Sequence, residues 1–515
     1  MSAKNSKRFN RRTLFQAAPA LAPAAAASPS APAAPAPDVY ARLGVEPFIN
    51  ATATLTINGG SRMLPEVIAA IEQASHFHVN MDELMDKASL RLAELLKVES
   101  GIVTAGAAAA LSHATAACIA GADPEKMQQL PDLRGLKNQV IMPKESRNVY
   151  DHATRTLGVE IVEVNSVAEL ESAIGPRTAM IQILGEHFGG AKFGLAQVAP
   201  IAKKHGIPIL IDAAADFLIV PNPYIALGAD LVAYSGGKIL RGPSTAGLLI
   251  GRKDLVQAAW ANSAPHHAFG RAMKVSKEEI IGMVVAVEAF VQRRNLQAEF
   301  REWEGWYTYI TEKVTQIPGV KTKVNPPARG GPFPTLTVSW DTARIGYTAG
   351  EIGKILASGK PRIMSHASGE GNSFVIRPVA LKPEDHKVIG ERLTEIFRAA
   401  PAAKPKQGPA APVADLSGRW DVAIQYVAGA SHHKLFLNAK GNRVSGTHFG
   451  WAYEGGLRGA VDGDKVTLRS ALPCGGQTLT YAFSGRLDAD TISGDVELGE
   501  YGRATFTARR QKETA

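Results

Sequence analysis

The stretch AYSGGKILRGPSTAGLLIGRKDL, Ala233 to Leu255, sets one lysine where the chain otherwise reads as core. Lys238 follows Gly236 and Gly237, with Ser235 just upstream. Paired glycines argue against a helix, and the flanks ADLVAYS and TAGLLIG are apolar enough to be buried strands. An amine at a strand end in an α/β sheet serves phosphate binding, ion pairing, or imine formation with a carbonyl cofactor. YSGGKIL fails the phosphate-loop pattern G-x-x-x-x-G-K-[ST], so the residues around it must decide between the other two.

Upstream, ILIDAAAD ends a buried strand on Asp212, an acid that is costly there unless it meets a cation or a protonated nitrogen. Further upstream, TAGAAAALSHA turns from strand to helix at Gly106, where free backbone N–H groups and the helix dipole favour an anion. A phosphate cradle, a buried acid and an imine-forming lysine are the three parts that pyridoxal phosphate requires.

The order of cradle, Asp-x-Ala and Ser-x-x-Lys resembles that of the fold-type-I pyridoxal phosphate enzymes, the aspartate-aminotransferase-like superfamily. The segments NATATLTINGGSRMLPEV, IDAAAD, LVAYSGGKILRGPSTAGLLIGRKDLV and GRAMKVSKEEIIG resemble the selenocysteine synthase (seryl-tRNA selenium transferase) branch. Within it they are most similar to the ammonia-lyase-like members of the D-glucosaminate-6-phosphate type, over roughly residues 40 to 399. The resemblance implies that Lys238 holds the cofactor covalently and moves protons at the substrate's α-carbon. It implies that Asp212 binds the pyridine nitrogen and Ala214 packs on the ring. Gly106, Ala107 and Ala108 would offer backbone donors to the phosphate, and Ser235 its hydroxyl. His152 or Tyr150, in ESRNVYDHATRT, would cover the other ring face, and Arg271 in GRAMK would bind a substrate carboxylate or phosphate. The cradle AGAAAAL departs from the family by lacking hydroxyl side chains. A dimer or larger homo-oligomer is implied, with Ser244 and Thr245 at a place where subunits would share a site.

The implied reaction is elimination of a β-substituent with ammonia release, on a small amino-acid-like substrate. Racemisation would need a second base such as His113, His152 or His187, and transamination is the third reading. A reading of another class is a ligand-binding envelope protein on a degenerate scaffold. The joint presence of Asp212, Ser235 and Lys238 argues against it.

The rest of the chain divides by pattern. Residues 1–37 carry Lys7 and Arg8, then Arg11-Arg12 before Thr13-Leu14-Phe15 and an Ala/Pro-rich run, which resembles a twin-arginine export signal to the periplasm. Helix and strand signals alternate through a large domain, 38–272, and a small α/β domain, 273–400. After a linker, 401–414, eight short alternating runs over 415–512 predict an up-and-down β-barrel or a sandwich, weakly similar to avidin-like or lipocalin-like barrels. At 515 residues, 45% hydrophobic and 20% charged, the chain has the composition of a soluble multidomain protein. The net charge of +9 is spread thinly, without the basic block of a nucleic-acid binder, and no apolar run is long enough to span a membrane. Cys118 and Cys474 lie too far apart in sequence to suggest a disulfide or a metal site. The adjacent His432 and His433 would point to opposite strand faces and so hold no metal together.

Overall fold

The structure, a computed structural model, describes residues 39–185, 193–328, 332–402 and 408–511. The chain separates into two compact units, Met1–Pro47 and Phe48–Ala515. In the described part of the first, a 3-10 turn at Ala41–Leu43 closes on Gly44. The export-like sequence lies outside the described residues.

A seven-stranded sheet organises the second unit. Its spatial order is Ser100–Thr104, Gly247–Gly251, Leu231–Ser235, Ile209–Asp212, Thr178–Leu184, Gln139–Pro143, Glu160–Val164. Gly247–Gly251 runs antiparallel to both neighbours, and every other pairing is parallel. Ile209–Asp212 and Gly247–Gly251 are buried at every residue, as strands covered on both faces must be. Because Ser100–Thr104, Ile209–Asp212 and Leu231–Ser235 all point the same way, their C-terminal ends meet at one edge. That edge is where a parallel sheet places its ligands.

A smaller antiparallel sheet orders Ser373–Ile376, Thr335–Trp340 and Val320–Asn325. Thr335–Trp340 alternates buried and half-buried residues, the signature of a sheet with one covered face. The helix Leu296–Val314 buries Trp303, Trp306, Tyr307, Ile310 and Val314 at helical spacing. The Tyr307 hydroxyl donates to Pro334 O and Ile376 O, which ties this helix to the small sheet.

The C-terminal region is a closed eight-stranded antiparallel barrel in which each strand pairs with its sequence neighbours. Gly418–Gln425 closes the ring on Arg503–Arg510. This settles the choice between barrel and sandwich. Trp420 is fully buried, donates Nε1–H to Leu416 O at 3.0 Å, and carries the Arg510 guanidinium 4.5 Å from its ring centroid. Trp420→Ala should cost the barrel about 3–5 kcal/mol, the usual loss for a large core aromatic. Calorimetry would register this as a lower unfolding temperature, and an unchanged profile would contradict the assignment of Trp420 to the barrel core.

Candidate active site

The Gly-Gly pair is explained by crowding. A Cβ on Gly237 would lie 2.6 Å from Ser244 Cα, and one on Gly236 would lie 2.8 Å from Met283 Sδ and 2.9 Å from Ala246 O. The lysine turn is stitched by Gly236 N–H to Ala246 O (2.8 Å), Gly242 N–H to Gly236 O (2.9 Å) and Ser61 N–H to Gly237 O (2.9 Å). Lys238 is therefore delivered half-buried at the sheet edge by a rigid backbone.

Asp212, 4% exposed, ends the neighbouring strand and faces it electrostatically. Burial pulls the lysine below its usual pKa, and the charges of Asp212 and Asp216 work against that fall. Burial likewise pushes the Asp212 carboxyl up, opposed by Lys238 and by the Ala214 N–H that donates to Oδ1 at 3.2 Å. Both groups are pressed toward neutrality, so each gains from a further partner of opposite charge. The Ala214 carbonyl also accepts the Ser235 N–H at 3.3 Å, which keeps Asp212, Ala214 and Ser235 adjacent.

Gly106 opens the helix Gly106–Ala120 with φ +82°, and the preceding Ala105 offers no side-chain cap. Ala107 is half-buried and Ala108 exposed, and since first-turn N–H groups have no partner within a helix, an anion here would meet backbone donors. Gly247 makes room for this turn, since a Cβ there would lie 2.6 Å from Ala107 N. An uncapped helix start, a buried carboxylate and a half-buried amine at one sheet edge fit the phosphate, ring nitrogen and aldehyde of pyridoxal phosphate.

Of the two candidates for the ring face, Tyr150 stands with its ring centroid 5.6 Å from Lys238 Nζ. His152 is exposed on the following turn. His113 is fully buried, and neither ring nitrogen has a hydrogen-bond partner among the described residues. Burial lowers its pKa to about 4, so it is neutral, and a Cβ on Gly270 would lie 2.7 Å from its Cδ2. His187 lies outside the described residues. Ser244 and Thr245 are exposed, and the Thr245 hydroxyl donates to Glu279.

Arg271 is exposed in a different cleft, of about 340 Å³, beside His78, Lys274 and Lys277; Lys238 does not line it. Cys118 and Cys474 are free, and among the described residues no His/Cys/Asp/Glu group could hold a metal. His432 is exposed while His433 is buried, as alternation requires.

Arg377 and His366 escape a reading of local motifs. Arg377 Nη1 is buried without a hydrogen-bond partner among the described residues, and burial lowers the guanidinium pKa. The Arg377 backbone N–H donates to Ala51 O at 3.1 Å, and His366 Nε2 is 2.8 Å from Thr52 O. The segment from Ala51 to Ser61 thus joins Arg377 to the lysine turn. The available signal was an arginine directly after the strand SFVI.

The family model described as aminotransferase class-V matches residues 63–279. A 5'-C-glycyluridine monooxygenase-decarboxylase from a Streptomyces species is 31% identical over 372 residues, 70% of this chain and 92% of that protein. A D-glucosaminate-6-phosphate ammonia lyase of Salmonella typhimurium is 28% identical over 372 residues, 70% of this chain and 98% of the relative. A solved structure of D-glucosaminate-6-phosphate ammonia-lyase matches with a TM-score of 0.63 at 28% identity, covering 71% of this chain and 99% of its own.

Two outcomes are expected. Gly247→Ala displaces the cradle and should weaken pyridoxal phosphate binding about tenfold, or ~1.4 kcal/mol, with the fold intact by circular dichroism. Unchanged binding would put the phosphate elsewhere. Asp212→Asn removes a charge that props up the lysine. The pH midpoint of Lys238 amine reactivity in the apoprotein should therefore fall further below the ordinary lysine value, and a rise would contradict the pairing.

Proposed function

This chain belongs to the aminotransferase class-V family, and from that premise we propose that it eliminates a β-substituent from an amino acid or amino-sugar acid and releases ammonia. It is a pyridoxal-phosphate-dependent enzyme related to D-glucosaminate-6-phosphate ammonia-lyase. The observation that carries the reading is the half-buried Lys238 facing buried Asp212, at the same sheet edge as the uncapped helix start at Gly106.

Bound pyridoxal phosphate supplies an electron sink that acidifies the substrate's α-carbon. Asp212 would hold the ring nitrogen in its protonated form. Gly106, Ala107, Ala108 and Ser235 would hold the phosphate. Lys238 Nζ, its pKa lowered by burial, would take the α-proton. The Tyr150 ring, 5.6 Å from that amine, would cover the other face of the cofactor ring. Arg377, with its buried Nη1 unmet, takes the substrate carboxylate as a bidentate partner. For a β-hydroxy amino acid the α-proton and β-hydroxyl would leave as water, the β-carbon would regain a proton, and water would then displace the amine. The products are ammonia and a 2-oxo acid, with no oxidant or reductant consumed.

The cleft that holds Arg271 and Lys274 also holds the Lys277–Glu278 pair, and the two remaining cations suit a second anionic group such as a phosphate. A homodimer or larger assembly is part of the same proposal and rests on the family resemblance of the sequence. Racemisation would use the same lysine and a second base, a poor role for His113, which burial makes a weak base and which packs against Gly270. Transamination shares the site but needs an oxo-acid partner. No helix of the described residues is long and apolar enough to cross a membrane, and export to the periplasm rests on the sequence of residues 1–37.

The test is a panel of D- and L-β-hydroxy amino acids and amino-sugar acids, assayed for ammonia and 2-oxo acid. Equimolar formation of both is expected, with a loss of about a thousandfold in Lys238→Ala. Oxygen uptake with carbon dioxide release, or amino transfer that depends on an added oxo acid, would overturn elimination.

A further inference from the structure

One turn of the barrel lies directly against the catalytic region. Gly475 and Gly476 join the strands Lys465–Cys474 and Gln477–Asp488. A Cβ on Gly476 would overlap the Asn148 carbonyl oxygen and lie 2.5 Å from Asn148 N and 2.6 Å from its carbonyl carbon. Gly476 does not have a positive φ, so close approach alone demands glycine there. A Cβ on Gly475 would lie 3.0 Å from Arg147 Nη2 and 3.8 Å from Arg155 Cζ.

Beneath this turn lies a compact ionic knot. Fully buried Asp151 accepts Arg147 Nε at 2.5 Å and Arg155 Nε at 2.8 Å, and Arg147 also pairs with Glu163. Asn148 is its hub: Oδ1 accepts the Tyr150 N–H at 2.7 Å, and its carbonyl accepts the Asp151 N–H at 3.2 Å. Tyr150 is the residue whose ring stands 5.6 Å from Lys238 Nζ. The backbone pressed by the barrel turn therefore orients the ring over the lysine.

That end of the barrel is also cross-linked. His433 Nδ1 is 2.8 Å from His448 Nε2, and His448 Nδ1 is 2.6 Å from Ser470 Oγ. Ser431 Oγ is 3.0 Å from His433 Nε2, and Tyr426 joins Ser431 at 2.8 Å. These bonds tie Ala430–Lys440, Arg443–Phe449 and Lys465–Cys474 just below the docked turn. In the adjacent turn, Tyr453 hydrogen-bonds Cys474 and senses the charge of Arg155.

We propose that the barrel is a positioning domain for the active site: its Gly475–Gly476 turn fixes the Asn148–Asp151 backbone and so holds Tyr150 over Lys238. Its importance for catalysis rests on the reading of Lys238 as the cofactor lysine.

The test uses the full chain without cofactor. Gly476→Ala is compared with Tyr150→Ala, their double variant, and Gly456→Ala, a barrel control at which a Cβ meets nothing within 4 Å. In Gly476→Ala, hydrogen exchange at the Tyr150 and Asp151 amides should rise about fivefold or more. The pH midpoint of Lys238 labelling by a small amine reagent should move down from the wild-type value, because the ring face that stabilises the ammonium is no longer held 5.6 Å from Nζ. Tyr150→Ala should move it the same way, and the double variant should move it no further than the larger single change. Gly456→Ala should leave both readouts unchanged. Unchanged exchange at Tyr150 and Asp151 in Gly476→Ala overturns the docking. Raised exchange with an unchanged Lys238 midpoint overturns the positioning role and leaves only a structural contact. A wild-type protein that binds no pyridoxal phosphate would sink the function of Lys238 while leaving both apoprotein readouts to judge the docking.

Discussion

The structure turns on the burial of one amine against one carboxylate at the edge of a mostly parallel sheet. Lys238 and Asp212 each pay for desolvation, and neither fully compensates the other. Such a pair persists only where backbone rigidity leaves no alternative. The rigidity comes from glycines that admit contacts closer than a Cβ allows, with Gly236 and Gly237 against the Pro243–Ala246 turn and Gly247 against the cradle. A folded apoprotein therefore presents an unfinished electrostatic arrangement, and under the proposed function pyridoxal phosphate would complete it, with an anion for the helix start, a cation for the acid and an aldehyde for the amine.

Most of the architecture was legible because each element advertises itself over a short window. All eight barrel strands carry period-two alternation between turn residues, and the buried strands of the large sheet are short apolar runs ending in Asp212 or Ser235. The helix Leu296–Val314 escaped because its buried face is largely aromatic, and WEGWYTYI mixes that face with residues equally at home in a strand. The pairing of Phe48–Asn50 with Arg362–Met364 is invisible locally, since three-residue strands gain meaning only from a distant partner.

The site was legible to the same depth. Lys238, Asp212 and Gly106 sit at strand ends, where sequence order maps onto one sheet edge. Arg377 could not be found that way. What singles it out is a buried Nη1 lacking a partner, a property of packing rather than of motif. The network of His433, His448 and Ser470 was likewise hidden, because its members are brought together by barrel register. The adjacent pair His432 and His433 attracted attention first, and alternation sends those two rings to opposite faces.

The central claim is that Lys238 is the residue that bonds the cofactor. The most direct measurement is borohydride reduction of the pyridoxal-phosphate-loaded protein, followed by peptide mapping of the reduced adduct. The account predicts one stoichiometric adduct on the peptide carrying Lys238, and none in Lys238→Ala. A stoichiometric adduct on any other lysine, or none in the wild-type protein, would contradict it.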